Sequence, residues 1–334
     1  MLNVEKEKSG TKTLFDPKDG NTIIKSPGNG PGYWAGAPNV YFDSIKRKFY
    51  LSYRLRKPHP HRGSESRIAE STDGAKFTDI WSVRKEDLGS SSMERSALIV
   101  TPNGAYRLYI SYVDPVNNKW RIDMMQSDDP RHFDILQRES ILTADSMQVE
   151  GVKDPYILSL NGVHHMFFSY APKLQGFSPE QIARLHTTGD IFNTGKVKSR
   201  TGLALSQGGI SFRWLRDVLP LGKSWDSHTA RVTCVLPLKR GFVIFYDGAS
   251  HGEPNYEEFT GIATSPDLVH YERISRERPV LVSPFGSGSL RYVSAVSVGD
   301  DFYFYYECSR QDGSHELRLN IVGKDNLKAF GVDD

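Results

Sequence analysis

Apolar residues in this chain fall in short runs broken by glycine, proline and asparagine, and stretches with a 3.6-residue period are scarce. The runs come in pairs. The second member of each pair is rich in aromatics: KFYLSYR (48–54), YRLYISY (106–112), HMFFSYA (165–171), FVIFYDG (242–248) and FYFYYEC (302–308). Each follows another strand-like run, beginning near Ala37, Arg95, Asp154, Ala230 and Tyr292. Turn residues such as Pro102-Asn103-Gly104, Asn161-Gly162 and Gly299-Asp300 separate the two. A further signature closes the units: STDGAKF (71–77), SDDPRHF (127–133), SQGGISF (206–212) and SPDLVHY (265–271). In such a turn a Ser or Asp side chain bonds the backbone, Gly or Pro sets the dihedrals, and the aromatic packs beneath. The third unit is oversized, with an insertion over roughly 173–198 whose best helical stretch is Ser178–Leu185.

A strand pair repeated five times, with further strands before each closing turn, predicts an all-β chain and a five-bladed β-propeller. Residues 1–334 read as one propeller domain, with blades at about 34–82, 92–138, 150–216, 226–275 and 288–323. A β-sandwich would leave the fourfold turn signature unexplained. No fifth closing turn follows Cys308, so the N-terminal segment is expected to complete the last unit and cover its open edge.

Composition narrows the class of partner. The 42 basic and 40 acidic residues nearly cancel, which gives no broad footprint for nucleic acid or a membrane surface. No apolar run approaches the roughly 18–20 residues of a membrane span, and the start MLNVEKEKSGTKTLF lacks the apolar core of a secretory signal, so a cytoplasmic protein is expected. Cys234 and Cys308 lie inside apolar strand-like segments and read as two buried free thiols.

In a propeller the heads of the inner strands converge on one depression. Sixteen residues before the aligned tyrosines Tyr170 and Tyr53 stand Asp154-Pro155 and Ala37-Pro38, so two units share an x-Pro start and only one carries a carboxylate. The other starts contribute Glu94-Arg95, Trp225-Asp226-Ser227-His228 with Arg231, and Arg291-Tyr292. The expected ring therefore holds Glu94, Asp154 and Asp226 as candidate catalytic carboxylates. Tyr33, Trp34, Arg95, Lys153, His228, Arg231, Arg291 and Tyr292 are candidate substrate contacts. Carboxylates and guanidinium groups suit sugar hydroxyls, aromatic faces suit the C–H side of a pyranose, and glycoside cleavage needs a pair of carboxyl groups. Each residue also has a plain structural use, as a turn cap or an ion-pair partner. His59-Pro60-His61 lies in a Pro-rich loop and His164-His165 alternates across a strand, so neither pair predicts a metal site.

At these residues the chain resembles the five-bladed propeller glycosidases of glycoside hydrolase families 43, 32, 62, 117 and 130. GAPNVYFDSIKRKFYLSYR, SRIAESTDGAKF, VKDPYILSLNGVHHMFFSYA and GIATSPDLVHYE carry the resemblance across nearly the whole length. Families 43 and 32 place a first-blade Asp-Pro carboxylate, a later Asp and a Glu acid. Here the first-blade position is Ala37-Pro38. Family 130 is more similar: a first-blade strand ending like Tyr53-Arg54, an S-x-D-G-x-x-F turn, and a later Asp-Pro strand whose Asp is the general acid, like Asp154. Its usual Asp-Pro-Arg is replaced here by Asp154-Pro155-Tyr156. The resemblance implies an inverting, exo-acting glycosidase on an oligosaccharide, with Asp154 as acid and Glu94 or Asp226 as base. It also leaves open a phosphorylase, with phosphate held by Arg95, Lys153, Arg231 and Arg291, or a sugar-binding propeller without activity. No cofactor is required. Some relatives hold Ca²⁺ in the axial channel, and no complete oxygen set for one can be named in this sequence.

Overall fold

The computed structural model describes residues 14–252 and 257–325. Among these the chain is almost entirely strand, arranged as five successive antiparallel units, an architecture of the β-propeller kind. The first unit holds β2 (Trp34–Asp43), β3 (Lys48–Lys57), β4 (Arg62–Ser71) and β5 (Thr78–Arg84). The second holds β6 (Met93–Val100), β7 (Tyr106–Val113), β8 (Trp120–Ser127) and β9 (Glu139–Thr143). The third holds β10 (Gly151–Leu160), β11 (Val163–Ala171), β12 (Arg200–Ser206) and β13 (Arg213–Val218). The fourth holds β14 (Thr229–Pro237), β15 (Phe242–Ala249), β16 (Phe259–Ser265) and the short β17 (Glu272–Arg273). The fifth holds β18 (Leu290–Val298), β19 (Asp301–Ser309) and β20 (His315–Gly323). Its outer strand is β1 (Asn21–Ile24), which pairs antiparallel with β20, so the N-terminal segment completes the last unit as the sequence leads one to expect.

The first strands β2, β6, β10, β14 and β18 touch one another in that order, and β18 returns to β2. Apolar clusters fill the spaces between neighbouring units. Tyr50, Ile68, Leu108 and Met125 lie between the first and second units; Val152, Met166, Phe168 and Tyr109 between the second and third. Phe245, Ile244, Phe304 and Val293 join the fourth and fifth, and Leu51, Phe49, Tyr305 and Leu319 join the fifth and first. The alternation of the second strands explains this: each carries large apolar residues on both faces, because both are covered by a neighbouring sheet.

Local chemistry accounts for the turns. Asn161 and Gly162 both take positive φ, 50° and 77°, the pairing a tight type I′ hairpin requires. In the closing turns Ser71, Ser127, Ser206 and Ser265 accept from the backbone N–H groups two or three residues on. Phe77, Phe133, Phe212 and Tyr271 pack into the clusters beneath. The insertion forms α1 (Pro179–His186), with Ser178 at the N-cap and a reciprocal Ser178/Gln181 capping box. After it, Ile191 and Phe192 are buried against Val113, Trp120 and Ala171, which seats the insertion on one end of the molecule. Cys234 and Cys308 are buried free thiols. No helix among the described residues is long and apolar enough to cross a membrane.

Candidate active site

Each inner strand carries one extra residue, a bulge, near its head. The register jumps between Gly36 and Asn39, Met93 and Ser96, Lys153 and Tyr156, and Arg291 and Ser294. This puts Ala37, Glu94, Asp154 and Tyr292 at equivalent positions, so the expected match of Ala37 with Asp154 holds. Ala37, Asp154 and Tyr292 sit at φ 54°, 57° and 54°, a left-handed conformation costing of order 1 kcal/mol or more outside glycine. Such bulges re-aim side chains and recur beside active sites. Here they turn the heads of the strands toward a common depression. In the fourth unit the same one-residue slip lies between Val232 and Cys234.

The depression is small, about 30 Å³, and is lined by Trp34, Arg54, Arg56, Glu94, Lys153, Asp190, Asn193, Arg231, Glu258, Arg291 and Tyr292. Beneath it runs an alternating chain of charges. Arg231 reaches Asp154 at 3.1 Å, Asp247 at 2.7 Å and Glu258 at 2.9 Å. Arg291 joins Glu258 at 2.7 Å to Glu307 at 2.8 Å, and Arg54 joins Glu307 at 3.3 Å to Glu94 at 2.9 Å. Two longer pairs flank it, Arg56 to Glu94 at 3.7 Å and Lys153 to Asp154 at 3.9 Å. Pairing of this kind is obligatory for charges so deeply buried, and removing one member leaves its partner uncompensated at about 3–5 kcal/mol.

The environments push two carboxyl groups in opposite directions. Burial works to raise Glu94, but Arg54, Lys153, Arg56 and Arg291 outweigh it and hold the group down at about 2, so it is ionised. Asp247 is pushed up to about 7, first by burial; Arg231 opposes this and the neighbouring Glu258 charge adds to it. Asp247 accepts from Arg231 Nη2, and Glu258 forms an ion pair with the same nitrogen. Environments that separate two pKa values in this way mark an acid and a base.

The expected site residues divide into three groups. Glu94, Lys153, Arg231, Arg291, Trp34 and Tyr292 line the depression. Asp154 and Arg95 lie one layer below it. Asp154 is wholly buried and accepts from Arg231, from the Arg95 backbone N–H at 3.3 Å and from the Tyr292 hydroxyl at 3.5 Å. The Arg95 guanidinium donates to the carbonyls of Pro38 and Thr233 at 2.9 and 2.8 Å, in the first and fourth units. It also lies 5.6 and 6.0 Å from the Tyr156 and Tyr292 rings of the third and fifth. One side chain from the second unit thus touches all the others.

Asp226, His228 and Tyr33 are not brought into the lining. Asp226 pairs with Arg273 of the outermost strand β17 at 2.8 Å and accepts from Tyr246, because Trp225 and Asp226 precede β14 and fold back onto the outer strands. Trp225 follows it, stacking on Tyr246 and donating to the Ser275 carbonyl. The His228 ring packs on Gly252 and its pKa is lowered, chiefly by burial. The Tyr33 ring lies against Gly28.

Sequence reasoning missed Glu258, Asp247, Glu307 and Asp190. Asp247 and Glu307 each follow the aligned tyrosine of a second strand, as Arg54 does after Tyr53, so a lone charge at that place was the available signal. Asp190 enters from the insertion, where it accepts from Arg62 at 2.5 Å and from the Trp120 indole at 3.2 Å. Glu307 also stands where the first unit lacks a carboxylate: the Ala37 N–H donates to it at 3.0 Å.

No family model and no curated protein matches the chain in sequence. Solved structures match in shape. A glycosyl hydrolase from Bacteroides ovatus superposes with a TM-score of 0.60 at 14% identity, over 95% of this chain and 98% of that one. The β-1,2-mannobiose phosphorylase of Listeria innocua, in complex with β-1,2-mannobiose, gives 0.58 at 15%, over 95% and 96%. A structure described with the family 130 mannoside phosphorylases and the hydrolases among them that target β-1,2 mannosidic linkages in Candida mannan gives 0.57 at 15%, over 93% and 92%. The chain shares their fold. At such identities the likeness carries the architecture alone, and the chemistry rests on the depression itself.

Proposed function

We propose that this protein is a glycoside-cleaving enzyme, built as a single five-bladed propeller with its active site in the depression at one end of the axis. The cyclic order of inner-strand contacts supports the count of five. The observation that carries the function is that two carboxyl groups, Glu94 and Glu258, face the depression, with Glu94 held down at about 2 and Asp247, which shares Arg231 with Glu258, pushed up to about 7. Glu94, held ionised by four cations, is the base that takes a proton from water. The proton needed by the leaving oxygen is kept on Asp247, whose carboxyl is pushed up to about 7 and which shares Arg231 Nη2 with Glu258, the one of the two that lines the depression. Asp154, the acid suggested by resemblance, acts on this reading from below, fixing Arg231 and the Arg95 backbone.

The floor is closed by Asp154 and Arg95, which favours action on a chain end. A water between base and sugar makes the reaction inverting, with the two carboxyl groups roughly 6.5–9.5 Å apart in the working complex. An axial Ca²⁺ does not fit: the place where oxygen ligands would converge holds the Arg95 guanidinium. The five cations of the lining favour a second reading, phosphorolysis, in which phosphate takes the place of water. A third is a sugar-binding propeller without activity, favoured by alanine at position 37.

One assay separates these. Oligosaccharides are incubated with and without inorganic phosphate, and free sugar and sugar 1-phosphate are measured. Hydrolysis predicts free sugar at a rate independent of phosphate. Glu94→Gln and Glu258→Gln then each lose about a thousandfold or more in kcat, while Asp226→Asn, outside the depression, retains activity. Release only with phosphate selects the phosphorylase; binding without turnover across the panel selects the third reading.

A further inference from the structure

The rings around the depression, expected to offer bare faces to a sugar, are covered by cations. The Arg56 and Arg291 guanidinium groups lie 4.5 and 4.7 Å from the centre of the Trp34 ring, and Arg231 lies 3.9 Å from that of Tyr292. A pyranose packs its C–H face on an uncovered ring, so neither side chain is its platform. The charged groups are engaged as well. Each of the lining cations is ion-paired to a carboxylate of the ring or of the layer beneath it, and the lining carboxylate Asp190 is held by Arg62.

Asn193 is the exception. Among the described residues of the lining it alone has a side chain with no hydrogen bond, ion pair or ring contact to the rest of the chain. It is half-buried, and its carboxamide carries an N–H donor pair and a carbonyl acceptor on one planar group. A sugar hydroxyl both donates and accepts, so one such group answers it in either sense, or spans two neighbouring hydroxyls.

The backbone beneath Asn193 is fixed on both sides. The residue belongs to the single helical turn Ile191–Thr194. Before it, Asp190 accepts from Arg62 at 2.5 Å and from the Trp120 indole at 3.2 Å, and Ile191 and Phe192 are buried beside Trp120. Lys153 sits 4.6 Å from the Phe192 ring. After it, the Thr194 hydroxyl donates to the Ile191 carbonyl at 2.7 Å, and Gly195 passes so close to the Gly252 carbonyl that a methyl group would not fit. Further back, His186 of α1 meets the buried Glu150 at 2.8 Å. A polar group set on so rigid a support loses little freedom on binding and discriminates sharply between ligands.

We infer that Asn193 is the specificity-determining residue of the site: its carboxamide holds a hydroxyl, or a neighbouring pair, of the sugar seated in the depression, while Glu94 and Glu258 face the glycosidic bond. The insertion is thereby the element that selects the substrate. This rests on the glycosidase reading above and adds to it the residue that reads the sugar.

The test is a cycle between enzyme and substrate. Nitrophenyl hexosides cleaved by the wild type, and each of their monodeoxy analogues, are assayed with wild type and Asn193→Ala, with inorganic phosphate supplied if turnover requires it. Asn193→Ala should lower kcat/KM for the parent glycoside about ten- to a hundredfold, mainly through KM, at unaltered circular dichroism. One deoxy analogue, or two deoxygenated at neighbouring positions, should lose a similar factor with the wild type and little more with the variant, because the contact is already gone. An unchanged kcat/KM in Asn193→Ala overturns the inference and leaves the enzyme a glycosidase. So does a uniform loss with every deoxy penalty preserved, which would mark a merely structural role. If nothing is cleaved, the glycosidase reading fails, and Asn193 is then judged by calorimetric titration of free hexoses and mannobiose. A sugar bound by wild type and at least tenfold more weakly by Asn193→Ala supports its role, and no such difference ends it.

Discussion

Asp247 does not line the depression, yet on the proposed mechanism its proton sets the pH range in which the site works. Its carboxyl group is wholly buried, accepts the Tyr292 N–H at 3.0 Å and shares Arg231 with Glu258. Burial raises its pKa to about 7, so the proton is present below that pH and lost above it. A donor has to enter the reaction protonated. The rate should therefore fall about tenfold per pH unit above about 7, while Glu94, at about 2, stays ionised throughout the working range. In Asp247→Asn the neutral amide still accepts the Tyr292 N–H but no longer titrates, and the alkaline limb should move by more than one unit. A purely structural Asp247 would instead lower the rate at every pH alike. The kcat/KM profile of the two proteins, measured from about pH 4 to pH 9, decides between these outcomes.

At the scale of single elements, the bulged inner strand is the device that makes the site, and its tightest point is Gly36. A methyl group there would run into the Glu307 carboxylate, which bridges Arg54 and Arg291 and accepts the Ala37 N–H. Glu307 is wholly buried among its partners and has no direction in which to yield. Gly36→Ala is thus expected to cost on the order of 3 kcal/mol or more and to impair turnover through Arg54 and Glu94, although Gly36 touches no substrate. Urea denaturation and the glycoside assay check both effects; an unchanged midpoint would show that the ring adjusts freely.

These strands also show which features can be read from the chain. Paired runs, Ser-opened turns, the Ser178 cap and the Ala37–Asp154 alignment are local or periodic, and the structure keeps them. The partners of the charge chain are neither: Arg54 and Glu307 meet across 253 residues, and Arg231 gathers Asp154 of β10, Asp247 of β15 and Glu258 from just before β16. Asp226 was placed at the axis because it precedes the fourth inner strand, but that strand starts at Thr229 and its bulge falls at Thr233. Nor does a sequence tell what lies on a ring, so Trp34 and Tyr292 read as sugar platforms when they are seats for arginines.

At the scale of the whole molecule, the ring closes through the N-terminal segment, and that closure is the place to test its integrity. Leu14 and Phe15 are buried in the core of the fifth unit, where Phe15 lies 5.3 Å from Phe304 and 5.5 Å from Tyr306. Arg318 and Asn320 of β20 donate to the carbonyls of Pro17 and Asp16, and β1 then pairs along β20. Without this latch β20 would be an open edge carrying unpaired backbone groups. Leu14→Ala with Phe15→Ala removes two buried anchors at about 3 kcal/mol each, and the loss should be local to the fifth unit before it is global. The two thiols report on this separately. Cys308 lies in the fifth unit against Ser283, and Cys234 is buried in the fourth against Tyr156 and Ala295. In the double variant a thiol reagent should reach Cys308 many times faster than in wild type while Cys234 keeps its protection, which peptide mass analysis of the modified chain would resolve. Equal acceleration at both cysteines would mean that the fifth unit opens only with the rest, and that the N-terminal segment adds stability to the ring without acting as its latch.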